Sequence, residues 1–446
     1  LIVATITVSV LLHAFYFSII YETKKNSEEI MKISKEIKDQ AVDYSMKCIT
    51  HICETIGPRE SGMPAELECQ KYVQNELEKN NWVDSTAIEP FKMARYGLLS
   101  FAPVIGFLMV VAALIQVIAH AIGGNTFSIV ANVIFILFSA LSLIIAFFQF
   151  LLYKQFLDVF LPKLESHNLI AKINPTGEIK RRIVISGHAD SAYEFTFMRI
   201  HQTLMVVVIA INIVFLLIGV GISIFNLIEK PNTPHLWALI LFAIMGAFFV
   251  TFFFLFNFKE VVPGANDNLT GVFLAVSVAR CMKEANIQLE NTEVQILITG
   301  SEEAGLRGAN AWAKKYKPIY DAEGVETVFV AFDTMHDYDW MTIYEREMSG
   351  ITKNSARAIK LIDRAAEEMG IKLPHGTVPA GASDAAAVSM NKMHAVAIAA
   401  QNPHGTRYYH NRRDNQHDLK PETFAYGLDI ALKTIEVFDK EGLPEA

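Results

Sequence analysis

Two adjacent glutamates, Glu302 and Glu303, follow directly on the apolar run Val294-Gln295-Ile296-Leu297-Ile298-Thr299, inside Gly300-Ser301-Glu302-Glu303-Ala304. At the mouth of a sheet such a pair suits metal-assisted hydrolysis: one carboxylate binds a metal while its neighbour takes a proton from water. A lone Glu-Glu is most often a solvated turn, so its companions decide. Arg182-Ile183-Val184-Ile185-Ser186 runs into Gly187-His188-Ala189-Asp190, where His188 offers a ring nitrogen and Asp190 can accept the other ring N–H. Asp267, in the turn Pro263-Gly264-Ala265-Asn266-Asp267-Asn268, could bridge two cations; alone it would read as an ordinary helix-entry aspartate. Asp333 follows Val328-Phe329-Val330-Ala331-Phe332, and His410 lies in Tyr408-Tyr409-His410-Asn411-Arg412-Arg413-Asp414. Three carboxylates and two histidines form a donor set that zinc accepts. A carboxylate shared by two ions would set them about 3.5–4 Å apart.

The elements that must position these residues alternate. Val294–Thr299, Thr327–Phe332 and Ala395–Ala400 read as buried strands, Asn168–Asn174 and Arg182–Ser186 as shorter ones. Gly271–Glu284, Ala309–Lys315 and Ser355–Met369 read as helices, and Ser45–Asn80 has helical periodicity with Cys69, Tyr72, Val73 and Leu77 on one stripe. The pattern predicts an α/β domain with a mostly parallel central sheet flanked by helices. Such sheets gather their chemistry at the carboxyl ends of strands, where each candidate falls.

The 446 residues are 52% hydrophobic, with mean hydropathy +0.29, too apolar for one ordinary soluble domain. Five stretches carry no Asp, Glu, Lys or Arg: roughly Leu1–Tyr21, Gly97–Ile122, Phe127–Tyr153, Thr203–Ile228 and Pro234–Phe258. A helix needs about 20 such residues to cross a hydrocarbon core. Leu1–Tyr21 lacks a charged leader and a small-residue cleavage site, and reads as an anchor rather than a signal peptide. The other four arrive as two hairpins, so the polar segments share one face of the lipid bilayer. The expected organisation is an anchor (1–21), a domain in three parts (22–96, 154–202 and 259–446), and transmembrane hairpins at 97–153 and 203–258.

Lys24, Lys25, Lys92, Arg95, Lys154, Lys163, Arg199 and Lys259 flank the spans on the domain side, whereas the hairpin loops hold only Lys230. This bias predicts a cytoplasmic domain. Cys48, Cys53, Cys69 and Cys281 lack metal-type spacing, and reduced thiols fit that compartment. The net charge of −8 argues against nucleic acid as a partner.

The chain resembles the di-zinc exopeptidases typified by bacterial leucyl aminopeptidases, with glutamate carboxypeptidases and glutaminyl cyclases as relatives. The matching pieces are Ile56-Gly57-Pro58-Arg59-Glu60-Ser61-Gly62, Gly187-His188-Ala189-Asp190, Gly264-Ala265-Asn266-Asp267-Asn268 with Gly271, and Gly300 to Gly308 around the glutamate pair. They continue through Phe332-Asp333, Ser383-Asp384 and Tyr409-His410 with Asp414. The resemblance implies a zinc aminopeptidase-like fold, a peptide substrate and two zinc ions. By it, His188 and Asp333 would bind one zinc, Glu303 and His410 the other, and Asp267 both. Glu302 would be the general base, and Asp190 would orient His188.

Two features depart from the family. The second hairpin separates His188 from Asp267, and Ala385 follows Ser383-Asp384 where the family often carries a histidine. His404 and His417 compete with His410 for the last ligand position; the tyrosine before and aspartate after favour His410. The other two read as surface or pocket-rim residues, and His336 as exposed. The expected function is a membrane-embedded metallo-exopeptidase, most simply an aminopeptidase. A deacylase or carboxypeptidase on the same site is the alternative. A glutaminyl cyclase would not need five ligands, a non-catalytic receptor would be expected to have lost some, and a transporter would carry ionisable residues inside its spans.

Overall fold

A computed structural model describes residues 32–229, 235–378 and 381–445. The expected anchor Leu1–Tyr21 and the loop residue Lys230 lie outside the described residues.

The strands are β1 (Ser85–Ala94), β2 (Lys163–Ile173), β3 (Arg181–His188), β4 (Tyr193–Phe195), β5 (Phe256–Val261), β6 (Thr292–Thr299), β7 (Glu326–Met335), β8 (Met341–Glu347), β9 (Thr352–Lys353), β10 (His375–Thr377) and β11 (His394–Ala400). Nine of them form one sheet in the order β1-β2-β6-β3-β7-β11-β8-β10, with β9 beside β8. The middle four, β6, β3, β7 and β11, are parallel; β1, β2 and β8 pair antiparallel with their inner neighbours. The sheet is thus mostly parallel at its centre, as the alternation of apolar runs requires.

Strand alternation distributes the apolar side chains over two faces. Ile183, Ile185, Ile296, Ile298, Val328 and Val330 face one core, with the helices Lys35–Thr55, Thr270–Glu284 and Pro421–Glu441. Val184, Leu297, Phe329 and Ala331 face the other, under Arg307–Glu323 and Asp384–Met390. Full burial of each such side chain contributes about 1.5–3 kcal/mol. Because both faces are covered, the central strands read as continuous apolar runs.

The periodic stretch Ser45–Asn80 is two helices, Lys35–Thr55 and Pro64–Lys79, rather than one. Gly57 adopts φ 77° and Pro58 follows it, ending the first helix; Pro64 opens the second from a position that needs no N–H. The intervening turn carries Arg59.

Four helices are long and apolar enough to cross a membrane: Phe101–Ile122, Asn125–Leu151, Leu204–Glu229 and Leu236–Phe254. The fourth stops short of the expected Phe258, because Phe256 already belongs to β5. Each hairpin leaves and re-enters between paired antiparallel strands. The first joins β1 to β2, whose register runs from Ser85↔Lys172 to Ala94↔Lys163. The second joins β4 to β5, with Phe195 paired to Phe256. Both occupy the place of a turn, so long insertions leave the sheet undisturbed.

Candidate metal centre

Three neighbouring parallel strands deliver the candidates to one rim. His188 ends β3 opposite Thr299 of β6; Glu302 and Glu303 lie just past β6; Asp333 lies near the end of β7. Asp267 comes from the turn before helix Thr270–Glu284, and His410 from the loop after β11. The turn fits so closely that a Cβ on Gly187 would collide with the backbone of Gly271 and Val272.

Asp267 sits at the centre. Its Oδ1 lies 3.1 Å from Nε2 of His188 and its Oδ2 3.1 Å from Nε2 of His410. Nε2 of His410 is also 3.4 Å from Oε1 of Glu303. Ligand atoms of His188, Asp267 and Asp333 fall within 4.8 Å of one another, as do those of Asp267, Glu303 and His410. The same holds for His188, Glu302 and Glu303. All seven residues singled out in the sequence, Asp190 included, therefore meet in one place.

The two histidines are held differently. Nδ1 of His188 lies 3.2 Å from the carbonyl oxygen of Asp190 and 3.4 Å from its Oδ1. The Asp190 carboxylate makes its shorter contacts elsewhere, accepting the backbone N–H groups of Glu302 and Glu303, each at 3.0 Å, and the Ser61 hydroxyl at 2.6 Å. It therefore fixes the glutamate pair as much as the imidazole. Nδ1 of His410 is buried without a hydrogen-bond partner among the described residues; Tyr409 stacks on the ring and Phe195 meets it edge-on.

Several supports were not legible as such. Asp414 accepts the backbone N–H groups of Asn266 and Asp267 at 2.7 and 3.0 Å, which aims the bridging carboxylate. Buried Arg59 donates to the carbonyls of Ala189, Pro263 and Gly264 at 2.7–2.8 Å, tying together the two ligand loops that the second hairpin separates. Buried Glu66 accepts the backbone N–H of Ser301 at 2.6 Å. Arg59 and Asp414 lie in stretches that match the family; Glu66 carried no signal, being one polar residue of an amphipathic helix.

Both hairpins are anchored to the loops that carry ligands. Arg307 donates to the carbonyl of Ala304 and to Asp158, each at 3.0 Å, and Leu98 donates to the same carbonyl at 3.1 Å. A side chain at Gly97 would run into the Arg307 guanidinium. At the second hairpin, buried Glu194 accepts two hydrogen bonds of 2.8 Å from Arg412, and Phe195 donates its N–H to the carbonyl of His410 at 2.9 Å.

Burial lifts the carboxyls of Glu302, Glu303 and Asp333 above their ordinary range, Asp333 to about 6 with Asp267 adding to the shift. Burial would raise Asp267 too, but hydrogen bonds from His188 and His410 hold it well below the usual range. Burial pushes the His410 imidazole down, yet Glu303 and Asp267 outweigh it and lift it to about 10. Five carboxylates (Asp190, Asp267, Glu302, Glu303, Asp333) thus share two imidazoles, and Oε1 of Glu303 is buried without a hydrogen-bond partner among the described residues. Buried charge in that excess calls for cations, and the N/O donors fit zinc.

The cluster floors a cavity of about 420 Å³. Its other walls come from β11, the 401–410 loop, and the hairpins, through Leu98, Phe150, Met205, Val206 and Ile209. No Lys or Arg lines it among the described residues. His404 is exposed at its rim, and His417 is exposed. His336, expected to be exposed, is instead buried: it packs on Tyr408 and lies between Asp337 at 2.8 Å and Asp418 at 3.1 Å. Those contacts come mostly from the chain beyond residue 400, so nothing beside His336 announces them.

Residues 250–435 match the model of Peptidase family M28, a range that includes Asp267, Glu302, Glu303, Asp333 and His410 but not His188. Among solved structures the chain is similar to a zinc aminopeptidase from Bacillus subtilis: 12% identity, 90% of this chain and 95% of that chain covered, TM-score 0.51. It is likewise similar to a glutaminyl cyclase from Fimbriiglobus ruber, with 13% identity, 89% and 95% covered, and TM-score 0.51. At such identities the likeness is one of fold. It agrees with the resemblance read from the sequence motifs.

Proposed function

Because the chain carries a Peptidase family M28 domain, we propose that it is a membrane-embedded zinc aminopeptidase. The observation that carries this reading is the shared carboxylate: Asp267 turns one oxygen to His188 and the other to His410, with Glu302 beside them on the cavity wall. His188 and Asp333 would hold one zinc ion, Glu303 and His410 the second, and Asp267 both. When bound, zinc supplies Lewis acidity to the scissile carbonyl and lowers the pKa of water. Glu302 then takes the proton from the attacking water on a carboxylate oxygen and delivers it to the leaving nitrogen. Its elevated pKa suits that return step. Asp190 keeps Glu302 in register through the backbone N–H it accepts.

The lining of the cavity favours a free amino end. An ammonium group would meet carboxylates there, whereas a substrate carboxylate would find no Lys or Arg among the described residues. Membrane embedding is supported by the four apolar helices and by large apolar side chains left exposed along them, such as Leu137, Leu217 and Ile240. The Lys and Arg at the span ends support a cytoplasmic domain.

A panel of one short peptide with free ends, with a blocked amino end and with a blocked carboxyl end tests this reading. The zinc-loaded protein is expected to cleave the first and third and to spare the second. Equal cleavage of the amino-blocked peptide would overturn the aminopeptidase reading in favour of a deacylase or carboxypeptidase; cyclisation without hydrolysis would point to glutaminyl cyclase chemistry.

A further inference from the structure

The cavity above the cluster has a wall that a soluble domain of this kind could not supply. Met205, Val206 and Ile209 line it, and all three belong to the second membrane hairpin, in helix Leu204–Glu229. Leu98 and Phe150, from the two ends of the first hairpin, line it as well. Met205 to Ile209 spans about 6 Å of helix axis, so the apolar wall climbs roughly one turn toward the bilayer. Val206 lines the cavity and is also 68% exposed on the outside of the helix. The cavity wall and the lipid-facing surface are therefore the same turn of the same helix. At the opposite end stand Asp267, Glu302, Glu303, Asp333 and His410, with no basic side chain among the described lining residues. One end of the cavity is anionic and the other apolar and continuous with the hairpins.

We propose that the site takes amphiphilic amides: a free amino group at the carboxylate cluster and a long apolar group laid along Met205, Val206 and Ile209. The apolar group could be a side chain next to the scissile bond or an alkyl chain attached to the peptide; the contact is the same. The hydrolytic part of this inference rests on the aminopeptidase reading, but the binding part does not.

Straight-chain primary amines from propyl to decyl separate the two. Their binding to the zinc-loaded full chain in one detergent, measured by calorimetry below their micelle concentrations, reads the apolar wall without any chemistry. Affinity is expected to rise about fourfold for each methylene buried, until the cavity is filled. In Ile209→Asn and, independently, Met205→Gln, the gain per methylene is expected to fall below twofold. Comparison of slopes in one detergent cancels partitioning of the amines into micelles. A flat series in the native protein, or a slope that neither variant changes, overturns the proposal. A steep, variant-sensitive series in a protein that cleaves no free-amino peptide would instead sink the aminopeptidase reading and leave the amphiphile site standing. To tell the two sources apart, hydrolysis of an alanyl peptide bearing a decyl amide is compared with that of a 2-aminodecanoyl peptide. At least a tenfold higher kcat/KM than for the plain alanyl peptide is expected for whichever bears its chain on the walled side, and no gain for either contradicts the proposal.

Discussion

Oδ2 of Asp267 and Nε2 of His410 lie 3.1 Å apart, although one belongs to a turn before a helix and the other to a loop beyond the last strand of the sheet. What brings them together is Asp414, four residues after His410, whose carboxylate accepts the backbone N–H groups of Asn266 and Asp267. The loop that carries one ligand thus aims the other. Asp414→Ala is expected to weaken zinc binding about 10- to 100-fold, in line with other supports of metal ligands. Competition with a chromophoric chelator reads the change, and an unaltered affinity would remove Asp414 from the account.

Metal loading should be coupled to protons. Burial opposes protonation of His410, but Glu303 and Asp267 raise its imidazole to about 10, so at neutral pH the ring carries a proton that zinc must displace. The sign follows: affinity increases as pH rises, by about tenfold per pH unit for each proton displaced, and levels off near the imidazole's own value. Calorimetry in two buffers of different ionisation enthalpy should record net proton release at pH 7. No release would mean that His410 is not displaced by the metal.

The second hairpin and the His410 loop are joined through Glu194 and Arg412. The hydrogen bonds from Arg412, ahead of the opposing effect of burial, hold the Glu194 carboxyl below its ordinary range. A depressed carboxylate contributes stability that is present above its unfolded-state pKa and fades as pH falls through the folded value. Arg412→Ala leaves a buried acceptor unpaired and should cost about 1–3 kcal/mol. Thermal unfolding should register this loss at neutral pH and a smaller one in acid. Equal losses at both would contradict the pairing.

Sidedness needs an introduced reporter, because Cys48 and Cys281 are buried. Glu367 is exposed on the outer face of helix Ala356–Glu368. With Glu367→Cys, an impermeant maleimide applied to intact cells should leave the protein unlabelled until the membrane is opened. Labelling of intact cells would turn the domain outward.

The sheet and the ligands were readable because one cause underlies both. A strand buried on two faces is a continuous apolar run, and a polar residue just past its end stands out. Val294–Thr299 before Glu302 and Arg182–Ser186 before His188 are the clearest cases. What escaped reading depends on partners distant in sequence. The edge strands β1 and β8 are half-polar and gain their conformation from pairing. Ser45–Asn80 looked uniform because its periodicity resumes after the break at Gly57 and Pro58. Arg59, Glu66, Asp158 and Glu194 are charged residues in ordinary surroundings; only folding shows each buried against a loop of the site.

The central claim is that Glu302 moves the proton while its neighbours hold the metal. It is tested most directly by the rate at which Glu302→Ala hydrolyses a free-amino peptide, at a zinc content equal to that of the native protein. The account predicts a loss of about 10²- to 10⁴-fold with zinc retained. Hydrolysis at a near-native rate would contradict it.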